Sequence, residues 1–156
     1  MPDEASRKHM VHEYARRINE GDVEGLLELF TEDVVFEDPV GARPLRGRAE
    51  LRERIAEAVA GGVHETPGRV VTSMDERWVV VPSTITVEEP TRTTFKVIGI
   101  MEVGEDGLSS HVQAFWGMTD AHVGDGPGAA GVESYAEVAQ QLTEMGRAAR
   151  ERARPA

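Results

Sequence analysis

The sequence predicts one α+β domain in which three N-terminal helices pack on a curved antiparallel sheet that encloses a pocket, followed by a further helix at the C-terminus. Three observations predict it. Apolar residues recur every three or four positions as far as Gly62, and toward every second position beyond it. Short turns at Asp75-Glu76, Glu88-Glu89-Pro90 and Gly104-Glu105-Asp106-Gly107 join the later runs, as an antiparallel meander requires. A chain of 156 residues suits a single domain with a core large enough to surround a ligand.

The elements follow in order. Met10, Val11, Tyr14 and Ile18 form the apolar stripe of a helix over about 6–19, with Ser6 as a possible cap. Gly21-Asp22 ends that helix and caps the next, whose stripe is Val23, Leu26, Leu27 and Phe30. After a Thr31-Glu32-Asp33 turn, Val34-Val35-Phe36 begins a strand over 34–38. Pro39, Gly41, Pro44 and Gly47 keep the next segment irregular; Leu51, Ile55 and Val59 then mark a third helix ending at Gly61-Gly62. Strands are expected at 63–74, 78–87, 93–103 and 108–117. These elements make 1–120 the domain proper, 121–131 a Gly-rich flexible linker, and 132–156 a helical tail whose stripe is Val132, Tyr135, Val138, Leu142 and Met145.

Composition narrows the classes of function. A net charge of −11 argues against nucleic acid and anionic membranes as partners, since both need clustered positive charge. Without cysteine there is no disulfide, thiolate zinc site or thiol nucleophile. No apolar run approaches a membrane span and the acidic start lacks a secretory signal, so a cytoplasmic location is expected. His9, His12 and Glu13 read as a solvated helix face rather than a metal trio, and no metal or cofactor is expected.

Glu37-Asp38-Pro39-Val40-Gly41 carries the most chemical information. Alternation places Val34, Phe36 and Asp38 on one face and Glu37 on the other, so Asp38 faces apolar walls. A carboxylate so placed is a candidate proton shuttle, against the plainer reading of a strand-end Asp that bonds its own turn.

Three stretches, Arg17-Ile18-Asn19-Glu20-Gly21-Asp22, Leu27-Glu28-Leu29-Phe30-Thr31-Glu32-Asp33 and Glu37-Asp38-Pro39-Val40-Gly41, together with Phe115-Trp116-Gly117, resemble the ketosteroid isomerase branch of the NTF2-like, or SnoaL-like, superfamily of cone-shaped proteins. The resemblance runs from Tyr14 to Gly117 and implies a tyrosine donor at Tyr14 and a proton-carrying aspartate at Asp38. The isomerases hold a second, protonated acid where this chain has Gly99, so the steroid reaction lacks a donor here. Within the branch, the chain is most similar to the epoxide hydrolase/cyclases of polyether ionophore biosynthesis of the monensin and lasalocid type. That resemblance implies a second carboxylate at Glu65, in Val63-His64-Glu65-Thr66, and it extends to the closing run His111 to Asp120.

Epoxide opening by an internal hydroxyl needs one group to take a proton and another to give one. Asp38 is read as the base and Glu65, helped by Tyr14, as the acid; the residues alone allow the reverse. The same pair serves dehydration followed by oxa-conjugate addition to a pyran. Strand parity points Val97, Gly99, Met101, Val112, Ala114 and Trp116 toward a small apolar polyketide-like substrate, with His64 beside Glu65. Trp116 is either core or a substrate-stacking wall. The competing functions are a steroid Δ-isomerase-like proton-transfer enzyme and a non-catalytic binding module. A homodimer is expected through the outer sheet face, with Val79, Val81 and Ile85 as its apolar residues.

Overall fold

The computed structural model describes residues 3–124 and, in the tail, 140, 143, 144, 146, 147, 150, 151 and 154. Helix α1 spans Glu4–Asn19 and is capped by Asp3, whose carboxylate accepts from the Ser6 amide at 2.7 Å. The cap is thus three residues earlier than Ser6, because an aspartate outside the first turn reaches the free N–H groups that a residue within the turn cannot. Gly21 turns the chain at φ +74°, and Asp22 caps α2 (Val23–Leu27) by accepting from the Gly25 amide. The α2 helix stops short of Phe30, which instead opens β1 (Phe30–Glu37). Phe30 pairs with Ser109, seventy-nine positions later, and that remote pairing overrides the local helical stripe.

Strand β2 (Leu45–Arg46) pairs with β1 and leads into α3 (Gly47–Ala60), which ends at Gly61-Gly62 as its glycines predict. The strand expected over 63–74 is two strands, β3 (His64–Pro67) and β4 (Val71–Thr72). Both pair with β5 (Trp78–Val87), but Pro67-Gly68 breaks the run between them. A Cβ on Gly68 would stand 3.0 Å from the Pro82 carbonyl, so a side chain there would push the edge away from β5. Strands β6 (Thr93–Val103) and β7 (Ser109–Phe115) complete the meander within the expected bounds to about two residues. A single-turn 3₁₀ helix (Met118–Asp120) then leads to β8 (Ala121–Val123), which pairs with β6.

The sheet order is β2-β1-β7-β6-β5-β3, with β4 on β5 and β8 on β6. The α+β class with helices over a curved sheet is as expected, and the sheet is mixed: β1 runs parallel to β7. The expected linker therefore begins as a strand at 121–123; residues 125–131 lie outside those described. In the tail, Gln140, Thr143, Glu144, Gly146, Arg147, Arg150 and Glu151 are helical, while Val132, Tyr135, Val138, Leu142 and Met145 lie outside the described residues.

The core sits between the helices and the concave face of the sheet, built on Met10, Leu26, Phe30, Val34, Leu51 and Val79. Val79 and Val81 are buried at 0% and 5% exposure, so they belong to the inner face and not to the outer face of an interface. Ile85, of the same parity, lines the cavity. On a strand two residues fix the face of all the others, and Ser83 and Val81 settle it for β5. The outer apolar row is instead Pro82, Ile98 and Phe115, which are exposed and directly opposed across β5, β6 and β7.

Candidate active site

The helices and the concave sheet enclose a cavity with two adjoining lobes, an outer one of about 300 Å³ and an inner one of about 60 Å³. Tyr14, Asp38 and Glu65 line both lobes, each brought there by a different element. Tyr14 comes from the apolar stripe of α1, where its ring meets Phe30 edge-on at 6.1 Å. Asp38 follows the end of β1, one alternation step beyond buried Phe36. Glu37, on the opposite face, pairs with His111 Nε2 at 2.6 Å, and that bond holds its carboxyl below the usual range. The parity expected for Glu37-Asp38 is the one observed.

Glu65 lies on β3, at the edge of the sheet. Its N–H donates to Asn19 Oδ1 at 2.7 Å and its carbonyl accepts from Asn19 Nδ2 at 2.9 Å. The side-chain amide of α1 thus takes the place of a neighbouring strand, satisfying an edge that water would otherwise fill. This clamp fixes the backbone from which the carboxyl projects.

Electrostatics divides the three groups. Burial, with the Asp38 charge adding to it, pushes the Glu65 carboxyl up to about 7. Burial also raises the Tyr14 phenol well above its ordinary value, reinforced by Glu65 and then Asp38, with Arg54 opposing. Tyr14 therefore stays protonated and keeps a donor O–H. Asp38 is held differently: the Trp116 indole N–H donates to its Oδ1 at 2.7 Å, and Arg54 Nη2 donates to its backbone carbonyl at 3.2 Å. An indole N–H only donates, so it orients the aspartate as an acceptor.

Of the other residues expected at the site, Val97 and Trp116 line the outer lobe, and Val97, Gly99, Met101, Val112 and Ala114 line the inner one. Trp116 is neither plain core nor plain wall: it stacks edge-on against Phe95 at 4.9 Å and carries the hydrogen bond to Asp38. His64 is a correction. It is exposed and lines neither lobe, because alternation along β3 turns it to the face opposite Glu65.

Three contributors escaped the sequence reading. Asn19 acts across 46 positions, and only the polar side chain closing α1 marks it. Arg54 sits one turn after Leu51 on the rim, on a face that reads as solvated. Ser83 had a visible signal, a lone hydroxyl alternating with Val81 and Ile85 on an inward stripe. Among the described residues, no group of three or more His, Asp or Glu is placed to hold a metal.

A model of the SnoaL-like domain matches residues 11–112. The chain belongs to the SnoaL-like family. Epoxide hydrolase LasB of Streptomyces lasalocidi is 45% identical over 126 residues, which are 78% of this chain and 45% of LasB. The chain thus spans less than half of that relative's length. Among solved structures, the epoxide hydrolase/cyclase-like enzyme SalBIII, described for its role in pyran ring formation in polyether salinomycin, superposes with a TM-score of 0.75. It is 36% identical, and the match covers 79% of this chain and 99% of SalBIII. A computationally designed 17-OHP binder superposes at 0.72 with 17% identity, covering 78% of this chain and 98% of its own, which shows the shared fold alone.

Proposed function

We propose that this SnoaL-like chain is a ring-forming enzyme of polyether-type polyketide biosynthesis, closing a cyclic ether on an apolar, oxygenated chain by carboxylate acid/base catalysis. One observation carries the reading: Tyr14, Asp38 and Glu65 converge on a single apolar cavity, with Glu65 raised to about 7 and able to hold a proton near neutrality. Its likeness to LasB and SalBIII supports the same reaction class.

Asp38, oriented by Trp116, takes the proton of the attacking hydroxyl. That oxygen bonds to an epoxide carbon, the epoxide C–O bond breaks, and its electron pair moves to the epoxide oxygen. Glu65 protonates this oxygen while Tyr14 steadies the charge building on it. The substrate is isomerised without a co-reactant, and one proton passing from Asp38 to Glu65 through solvent resets the pair. Loss of water from a β-hydroxy ketide and addition of a hydroxyl to the enone uses the same two groups and gives a pyran.

A linear hydroxy-epoxide polyketide analogue, followed by mass-resolved chromatography, tests this. Cyclic ether is expected from the native chain, and a 100- to 10,000-fold loss is expected in both Asp38→Asn and Glu65→Gln. Both carboxylates act on one transition state, so the double variant should cost less than the product of the two. Unchanged ring closure in both single variants would remove the carboxylates from the reaction. Gly99 adds no donor to the inner lobe, so conjugation of a β,γ-unsaturated steroid ketone should be slow; efficient growth of enone absorbance would favour the isomerase instead.

A further inference from the structure

Ser83 is the one polar residue in the inward alternation of Val79, Val81, Ser83, Ile85 and Val87 on β5. It is 7% exposed and lines the inner lobe together with Tyr14, Asp38 and Glu65. Its register partner on β3 is Pro67, two residues beyond Glu65, so on this inward face the serine and the glutamate are diagonal cross-strand neighbours. The Ser83 hydroxyl makes no well-aligned hydrogen bond among the described residues. A buried hydroxyl left in that state is costly and calls for a partner in some state of the protein.

We propose that Ser83 is a positioning residue for Glu65: its hydroxyl closes onto the carboxylate when Glu65 has given up its proton, and releases it when the proton returns. A hydroxyl can donate to an ionised carboxylate, and the rotor needs no backbone movement to do so. The serine already lies near enough to oppose the rise that burial imposes on Glu65. Other groups facing the glutamate act differently. Asp38 from β1 favours the protonated form, Tyr14 from α1 keeps its proton and in the proposed step donates to the reacting oxygen, and Asn19 is committed to the Glu65 backbone. Arg54, Glu57, Glu89 and Arg150 line the outer lobe. Ser83 is therefore the donor placed to receive the charge left on Glu65 after proton transfer, and it matches a Glu65 that acts as acid rather than base. This role for the serine rests on the ring-forming reading for its catalytic meaning, but the contact itself does not.

Infrared titration of the Glu65 carboxylate, isolated by subtracting the Glu65→Gln spectrum, needs no substrate. In Ser83→Ala the midpoint should move upward by about one unit or more, since a hydrogen bond to a charged group is worth about 1.5–3 kcal/mol. Ser83→Thr keeps the hydroxyl and should return the midpoint to the native value. Should Ser83→Ala not fold, Ser83→Cys, a weaker donor of similar size, should give a smaller upward shift. The basic limb of the ring-closing pH profile should move with the titration, with kcat reduced about tenfold and KM little changed. A folded Ser83→Ala or Ser83→Cys whose Glu65 titrates at the native midpoint would overturn the proposal and leave Ser83 as packing. That outcome is separate from failure of the function itself, which would appear as no cyclic ether formed by the native chain.

Discussion

At the residue scale, the site depends on how each carboxyl is held. Asp38 is oriented by one indole hydrogen bond, so Trp116→Phe keeps most of the Phe95 contact and removes only the donor. Ring closure is expected to fall about 10- to 100-fold with little change in melting temperature, because misorienting the proposed base costs rate far more than stability. A steady-state assay paired with thermal unfolding checks this. Glu65 makes an opposite prediction for stability. Its carboxyl rises from 4.5 to about 7 in the folded state, so the folded chain binds more protons than the unfolded one between those values. The contribution is fully present below about 4.5 and is lost as pH rises through about 7, at most about 3 kcal/mol. Glu65→Gln should therefore melt higher than the native chain at pH 8, with the gap narrowing toward pH 5. A gap that is constant with pH would mean that Glu65 is not buried in this way.

At the element scale, the site rests on β3, at the edge of the sheet. It is a four-residue edge strand, yet it carries a catalytic candidate. The Asn19 amide on α1 satisfies the free edge at Glu65 with two hydrogen bonds. Asn19→Ala leaves both backbone groups of Glu65 unpaired, and a loss of about 1–3 kcal/mol is expected in denaturant unfolding. Faster amide exchange should appear at Glu65, with the ladder between β5 and β6 unaffected. Loss of protection throughout the sheet would show that the clamp holds the whole fold rather than one edge. The break at Pro67-Gly68 belongs to the same edge: a proline ends the ladder, and a glycine lets the chain approach the Pro82 carbonyl before β4 resumes.

At the scale of the whole molecule, the outer sheet face carries Pro82, Ile98 and Phe115 in one exposed row, with Ile98 at 45% and Phe115 at 42% exposure. Large apolar side chains adjoining on an exposed sheet face suit an interface, and we propose that two copies pair through this row. Light scattering at micromolar concentration should give twice the 17.1 kDa chain mass, and Ile98→Glu should shift it toward the single chain. A single-chain mass for the native protein would rule the pairing out. Among the described residues, no helix is long and apolar enough to cross a membrane.

Local patterns alone determined a large part of this protein. Helical spacing in Met10, Tyr14 and Ile18 and alternation in Val34, Phe36 and Asp38 both depend on neighbours a few positions away, so the faces of α1 and β1 were legible in the sequence. Family resemblance then singled out Tyr14, Asp38 and Glu65, which the structure brings to one cavity. Tertiary structure decided what no local pattern encodes. The parallel pairing of β1 with β7 turned Phe30 from helix to strand, and it places Trp116, 78 positions away, against Asp38. Parity on β5 depends on which side the helices cover, which is why Val79 and Val81 read as outer residues and are core. His64 and Glu65 are adjacent in sequence and on opposite faces in the fold. The raised Glu65 carboxyl arises from burial by α1, β1 and β5 together, and desolvation is a property of the enclosed cavity, which exists only once remote elements have packed.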